Sequence, residues 1–218
     1  LSIPVIGVIG GIGSGKTTFT RAVGERLNAR VLDADQAGHR VLRFDSVKSQ
    51  LREVFGEDIF DSDGEILRSA LARRVFGVED DQQAARSQLN QIVHPEIRKL
   101  LEEQLHEMKS EVEVDVIFLD AALMIEAGWV SICDAVVFLD VPKHVRLDRV
   151  AGRGWSAEEL AQREASQLSL PEKRKRADFI VDHTLPPHLA AELFIDWFIN
   201  QFETRYTNRE AVSQPSQP

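Results

Sequence analysis

Five short runs of hydrophobic residues punctuate the chain: PVIGVI (4–9), RVLDAD (30–35), VDVIFLD (114–120), DAVVFLD (134–140) and DFIVDH (178–183). They are nearly continuous in hydrophobicity rather than alternating, as expected of parallel strands buried on both faces. Helical periodicity fills the gaps, beginning at Lys16 to Leu27. Strands alternating with helices predict an α/β fold, a parallel sheet wrapped by helices.

The gap from about residue 36 to 112 is too long for one crossover helix, and its apolar spacing is helical throughout. Leu67, Leu71 and Val75 form one stripe; Leu89, Val93, Ile97, Leu101, Leu105 and Met108 form another, with Pro95 read as the first turn of a helix. This predicts a helical lobe (36–111) inserted between the second and third strands. The charged stretch at 151–177 holds Gly152 and Gly154 and a Ser156/Glu159 capping box, and reads as a mobile lid. The expected plan is one domain over 1–210, with a core of 1–35, 112–150 and 178–208, and a disordered polar tail at 211–218.

Composition narrows the chemistry. With 28% charged residues and a formal net charge of −9, the chain argues against nucleic acid or an anionic membrane as partner, while a small anion in a basic cleft stays open. Cys133 is the only cysteine, so no intrachain disulfide or thiolate metal cluster is expected and a reducing cytoplasm fits. The apolar start lacks a basic n-region and does not read as a signal peptide, and no stretch is long enough to span a bilayer.

The chemistry begins at GGIGSGKTT (10–18). Gly10, Gly15, Lys16 and Thr17 satisfy G-x-x-x-x-G-K-[ST], with a strand before and a helical pattern after. Glycines let successive N–H groups face an anion, the helix start adds its positive end, Lys16 meets the β/γ oxygens and the Thr17 hydroxyl suits Mg²⁺. The fold class expected is therefore a P-loop NTPase of nucleotide-kinase-like build, with the helical lobe and lid as additions. No G-x-G-x-x-G threads through these glycines, which disfavours a dinucleotide fold.

Ligands of such a sheet lie beyond the carboxyl ends of its strands. Asp33 and Asp35 end the second strand, and alternation places both on one face. One suits Mg²⁺ through water and the other a proton from an attacking hydroxyl; Asp35 is read as the base and Asp33 as its metal-side partner. Asp120 and Asp140 each follow an apolar strand, and one of them, assigned as Asp120, is expected to face the metal. Ala121 follows Asp120 where many ATPases place a water-activating glutamate, which tilts the reading toward transfer to a bound acceptor. Arg146, Arg149 and Arg153 are spaced as one helical face and are candidates for neutralising transition-state charge. KRKR (173–176) reads as a solvated basic face and His94, before Pro95, as a cap or packing residue.

These stretches, with VLDAD (31–35), the DG…LRSALARRVF segment (63–76), LNQIVHPEIR (89–98), LDAALMIE (119–126), RVAGR (149–153), Gln167, EK (172–173) and AD (177–178), resemble the dephospho-coenzyme A kinase family. The resemblance runs over roughly residues 5 to 184. It implies ATP-dependent phosphorylation of the ribose 3′-hydroxyl of dephospho-coenzyme A, with ATP and dephospho-CoA as partners and Mg²⁺ as cofactor. Gly13, Ser14, Gly15, Lys16, Thr17 and Thr18 would then hold ATP, Arg149 and Arg153 would touch phosphates, and Arg68, His94 and Glu126 would shape the substrate site. The chain departs from the family pattern at Ala122 (commonly proline), Ser69 (arginine) and His183 (asparagine).

Other functions share parts of this pattern. A nucleoside or nucleoside-monophosphate kinase has the same core, insertion and lid. A regulatory GTPase would use the D-x-x-G at Asp35 to Gly38 or Asp61 to Gly64, yet no N-K-x-D exists to read guanine. Intact Lys16, Thr17, Asp33 and Asp35 count against a non-catalytic nucleotide-binding scaffold.

Overall fold

The structure, a computed structural model, describes residues 2–76, 79–111 and 113–202. The proposed tail at 211–218 lies outside them. Strands β1 (Val5–Gly10), β2 (Ala29–Asp33), β3 (Val116–Asp120), β4 (Ala135–Asp140) and β5 (Phe179–Asp182) form one sheet in the order β2-β3-β1-β4-β5. β1 pairs in parallel with β3 and β4, and β4 with β5. The register sets Val8 against Asp120 and Gly10 against Leu139, so the acids ending β3 and β4 flank the end of β1.

The chain divides into two compact units, Leu1–Leu32 with His106–Pro218, and Asp33–Leu105. In the first, alternate residues Ile6 and Val8 of β1, Val116 and Phe118 of β3, and Val137 and Leu139 of β4 bury one sheet face. Against it lie Phe19 and Val23 of α1 (Lys16–Gly24) and Phe194 and Phe198 of α9 (Pro187–Phe202). Ring centroids of Phe118 and Phe194 lie 6.2 and 5.5 Å from Phe19. Three further helices, α6 (Lys143–Ala151), α7 (Ala157–Glu164) and α8 (Leu170–Arg174), join β4 to β5. The capping box at Ser156 and Glu159 is formed and opens α7.

The second unit is helical: α2 (Ala34–Val41), α3 (Asp45–Phe55), α4 (Arg68–Val75) and α5 (Asp80–Lys109) as far as Leu105. Leu71, Val75, Val93, Ile97, Leu101 and Leu105 are buried as their spacing predicts, whereas Leu67 is exposed just before α4.

Two expectations are corrected here. Pro95 lies inside α5, fifteen residues beyond its start at Asp80, rather than in a first turn. Lacking an N–H, it removes one backbone bond at a cost of about 3 kcal/mol, which burial of Val93 and Ile97 on either side offsets. Asp35 is not in a strand: β2 stops at Asp33, whose extended backbone and side chain cap α2, with its Oδ1 accepting the Gln36 N–H at 2.9 Å. An aspartate that can satisfy a helix N-terminus ends the strand there, so the two acids do not share a strand face.

Candidate active site

The glycine-rich loop joins the end of β1 to the start of α1. Gly13 and Gly15 adopt φ of 81° and 85°, a conformation other residues enter at a cost. Space is short as well: a Cβ on Gly13 would lie 2.9 Å from the Arg146 carbonyl oxygen, too close without a backbone shift, and one on Gly15 would press on His183 Nε2 at 3.0 Å. Gly15 is the N-cap of α1, no side chain caps that helix, and its first turn holds no acid. The helix start is therefore built for an anion.

Lys16 is the first residue of α1, and its Nζ stands 3.6 Å from Asp120 Oδ1, both side chains about one-fifth exposed. Thr17 and Thr18 are exposed. Ser14 is buried: its N–H donates to the Gly11 carbonyl at 3.0 Å, and its hydroxyl has no hydrogen-bond partner among the described residues. Asp140, the other strand-end acid, is ion-paired to Arg174 and does not meet Lys16.

Three side chains from distant sequence support the loop. Arg146 is buried; its Nε donates to the Val141 carbonyl at 3.2 Å, its Nη1 to the Ile12 carbonyl at 3.1 Å, and it pairs with Glu164 of α7. Arg149 donates through Nη1 to the Ser14 carbonyl (3.0 Å) and the Gly13 carbonyl (3.4 Å), and through Nη2 to the His183 carbonyl (3.0 Å). His183 is buried with its ring edge-on to Phe19 at 5.8 Å. Burial, followed by the Arg149 charge, holds its imidazole below the usual histidine range.

The expected face of three arginines is corrected accordingly. Arg146 is an internal tie, because a guanidinium that finds two carbonyls and a carboxylate is stable away from water. Gly152 ends α6, so Arg153 lies beyond the helix, where it is exposed. The reading of 173–176 as a solvated face fails at Lys173, which is 3% exposed. Its Nζ donates to Gln167 Oε1 (2.7 Å) and the Ala122 carbonyl (3.5 Å) and stands 3.7 Å from Glu126, which in turn accepts the Leu168 N–H at 2.6 Å. Burial lowers the Lys173 ammonium, with Lys16 adding in the same direction and Glu126 opposing. Lys16, Gly10, Ala122, Glu126 and Lys173 line one small cleft beside the loop.

The remaining candidates belong to the helical unit. Asp33 is half-buried at its cap and Asp35 is exposed in the first turn of α2. Arg68 Nη2 lies 2.7 Å from His39 Nε2. His94 is half-buried, and burial lowers its imidazole pKa.

Sequence reasoning missed the supporting roles of Glu164 and His183. Glu164 gives no signal, being one acid among many on an amphipathic helix. His183 was findable: it directly follows β5, and ligand-side residues of such sheets follow strand ends.

Comparison with known proteins identifies the family. The family CoaE, dephospho-CoA kinase, matches residues 4–185. Proteins named dephospho-CoA kinase are similar to this chain in Geobacter sulfurreducens, 39% identical over 84% of this chain and 91% of the relative. In Rhodopirellula baltica the identity is 37% over 84% and 83%. Among solved structures, TT1252 from Thermus thermophilus is similar over 92% of this chain and 98% of its own, with a TM-score of 0.76 at 31% identity. The dephospho-CoA kinase from Campylobacter jejuni shares the fold, with a TM-score of 0.56 at 24% identity over 88% of this chain and 95% of that one. A phosphate loop closed on Lys16 and Asp120, a match along most of the chain and relatives of one name together establish that the chain belongs to the dephospho-CoA kinase family.

Proposed function

We propose that this chain transfers the γ-phosphoryl group of ATP to the ribose 3′-hydroxyl of dephospho-CoA, with Lys16 and the backbone N–H groups at the start of α1 neutralising charge on the phosphates. The observation that carries the reading is the uncapped N-terminus of α1 with the Lys16–Asp120 pair beside it. Positioned cations and N–H groups act where charge develops, in a setting where they need little reorganisation.

Mg²⁺ fits this donor set. Among the described residues no group of three or more His, Cys, Asp or Glu could hold a metal. Mg²⁺ keeps several waters and binds through one or two carboxylates plus substrate phosphates, and a hydroxyl and a carboxylate beside the loop would suit it. The Thr17 hydroxyl and the Asp120 carboxylate are its assigned protein partners, and the ion would draw charge from the β and γ oxygens. Asp33 is assigned as the metal-side acid of the pair, beside its cap bond through Oδ1. Asp35, exposed and in the first turn of α2, is assigned as the base for the acceptor hydroxyl.

The helical unit, with Arg68 and His94, is assigned to the acceptor, together with Glu126 from the first unit. Residues 151–177 are assigned as the lid, with Arg153 reaching phosphate and Arg149 acting through the loop it ties. Among the described residues no helix is long and apolar enough to cross a membrane. Action in the cytoplasm is part of the proposal. A coupled ADP-release assay across dephospho-CoA, adenosine, AMP, CMP and uridine tests the reading. ADP is expected with dephospho-CoA alone; turnover of AMP or CMP instead would move the assignment to a nucleotide kinase.

A further inference from the structure

Lysine is almost never fully buried unless its charge is paired, yet Lys173 of α8 is 3% exposed. Taking an ammonium out of water is costly, and methionine or leucine would serve better there if only packing were required. The partners that offset the cost come from two places in the chain. Gln167 Oε1, ahead of α8, accepts from Nζ at 2.7 Å, and the Ala122 carbonyl, after β3, accepts at 3.5 Å. Glu126 Oε1 completes the set as an ion pair at 3.7 Å. An ammonium has three protons, so these partners account for its donors, and its burial leaves almost no surface for a phosphate oxygen. Lys16, about one-fifth exposed in the same cleft, is open to an anion where Lys173 is not.

Glu126 carries these contacts to the cleft. It follows the buried Met124 and Ile125, which anchor the turns after β3. Its Oε1 accepts the Leu168 N–H at 2.6 Å and faces Lys173 Nζ, so one oxygen is fastened from two sides and the direction of the whole carboxylate is set. The side chain keeps 20% of its surface and lines the cleft with Lys16. An ionised carboxylate only accepts hydrogen bonds, so the group it meets on a ligand is a hydroxyl or an N–H and not a phosphate.

We propose that Lys173 is a positioning residue for the acceptor, holding the Glu126 carboxylate in the direction from which it meets a hydroxyl or N–H of dephospho-CoA. This rests on the assignment of Glu126 to the acceptor and deepens it by naming the side chain that aims the carboxylate. Burial lowers the Lys173 ammonium and the Glu126 charge opposes that, so each member of the pair keeps the other in place.

The test is a cycle of Lys173→Met, Glu126→Ala and the two together in the full chain, assayed for ADP release at varied dephospho-CoA and at varied ATP, with thermal unfolding alongside. Methionine fills the lysine's space without its charge. Lys173→Met is expected to raise the KM for dephospho-CoA about tenfold and that for ATP less than about threefold, and to change neither by more than about threefold when Glu126 is already alanine. A fall in Tm with both KM values native would mark a purely structural lysine and overturns the proposal. A KM for ATP that rises as far as that for dephospho-CoA overturns it too, since Lys173 would then act on phosphate. So does a double variant whose acceptor KM multiplies the two single effects. If Lys173→Met fails to fold, the double variant, which carries neither charge, is compared with Glu126→Ala alone, and unequal acceptor KM values overturn the proposal. Glu126→Ala with a native acceptor KM would instead remove the underlying assignment, and the proposal with it.

Discussion

Glu164→Ala removes one carboxylate from α7 and leaves its partner, Arg146, buried at 3% exposure with only the Ile12 and Val141 carbonyls. Losing one partner of a fully buried pair costs about 3–5 kcal/mol, and of an exposed pair about 0–1 kcal/mol. Glu164 keeps 25% of its side-chain surface, so water can reach the site it vacates, and the loss falls between these limits at about 2 kcal/mol. For a chain of this size that is a fall of about 4–8 °C in Tm, read by scanning calorimetry and by the urea midpoint. The KM for ATP should rise too, because the guanidinium that loses Glu164 also holds the Ile12 carbonyl of the phosphate loop. Replacing both partners by leucine removes the buried charge and should recover most of the stability while leaving the ATP KM raised. A Glu164→Ala protein within about 1 °C of the native Tm would refute the internal-tie reading. A double variant with normal ATP KM would show that Arg146 does not act on the loop.

Lys16→Ala should lower turnover by at least about a hundredfold with little change in Tm, since Lys16 is partly exposed and only its positioned charge is lost; near-native activity in steady-state assays would remove it from the mechanism. Asp35→Asn should reduce kcat by about a hundredfold or more with nucleotide affinity preserved, and a kcat within about twofold of native would remove Asp35 as the base. Asparagine caps a helix as well as aspartate, so Asp33→Asn isolates the charge, whereas Asp33→Ala also loses about 1 kcal/mol of cap; equal denaturation midpoints for the two would contradict the capping role. The pH dependence of stability has a defined sign at His183. Its folded pKa lies below the unfolded 6.5, so it contributes a loss of stability that begins as pH falls below 6.5, and His183→Gln should flatten that part of the curve; identical acid limbs in the two proteins would exclude it.

Much of the fold was legible because its central strands are covered on both faces, which leaves runs such as VIFLD and AVVFLD with no amphipathic ambiguity. The phosphate loop was legible because the conformation at Gly13 and Gly15 demands glycine, and a helix start that opens on a lysine is built for an anion. What failed were boundaries and burial. The helix through Pro95 is held by tertiary burial that outweighs a local breaker, and the strand ending at Asp33 is stopped by a cap bond that periodicity does not contain. Charge was the least legible property: Arg146 reads as one of three arginines facing a phosphate and Lys173 as part of a solvated face, because sequence shows a basic side chain but not the carbonyls and carboxylates that the fold brings to it.

That concealed charge bears on how the loop works. Arginine donors on the Ile12 and Ser14 carbonyls fix those oxygens on one side of the loop. Each trans peptide then directs its N–H to the other side, which aims the N–H groups of Gly13 and Gly15 away from the arginines. The Gly13 carbonyl is drawn the same way by Arg149, and there the Ser14 N–H turns inward onto Gly11. Arg146 and Arg149 thus act by orienting dipoles before any anion arrives, and orientation completed in advance is the part of electrostatic stabilisation that requires no reorganisation during transfer. Arg149→Lys separates the two roles an arginine can have here. Lysine retains the charge but cannot span the Gly13, Ser14 and His183 carbonyls with a planar fork. If orientation is what matters, the lysine variant should lose nucleotide affinity about as far as Arg149→Ala does, and a lysine variant that binds the ATP analogue like the native protein would mean that Arg149 acts through its charge alone.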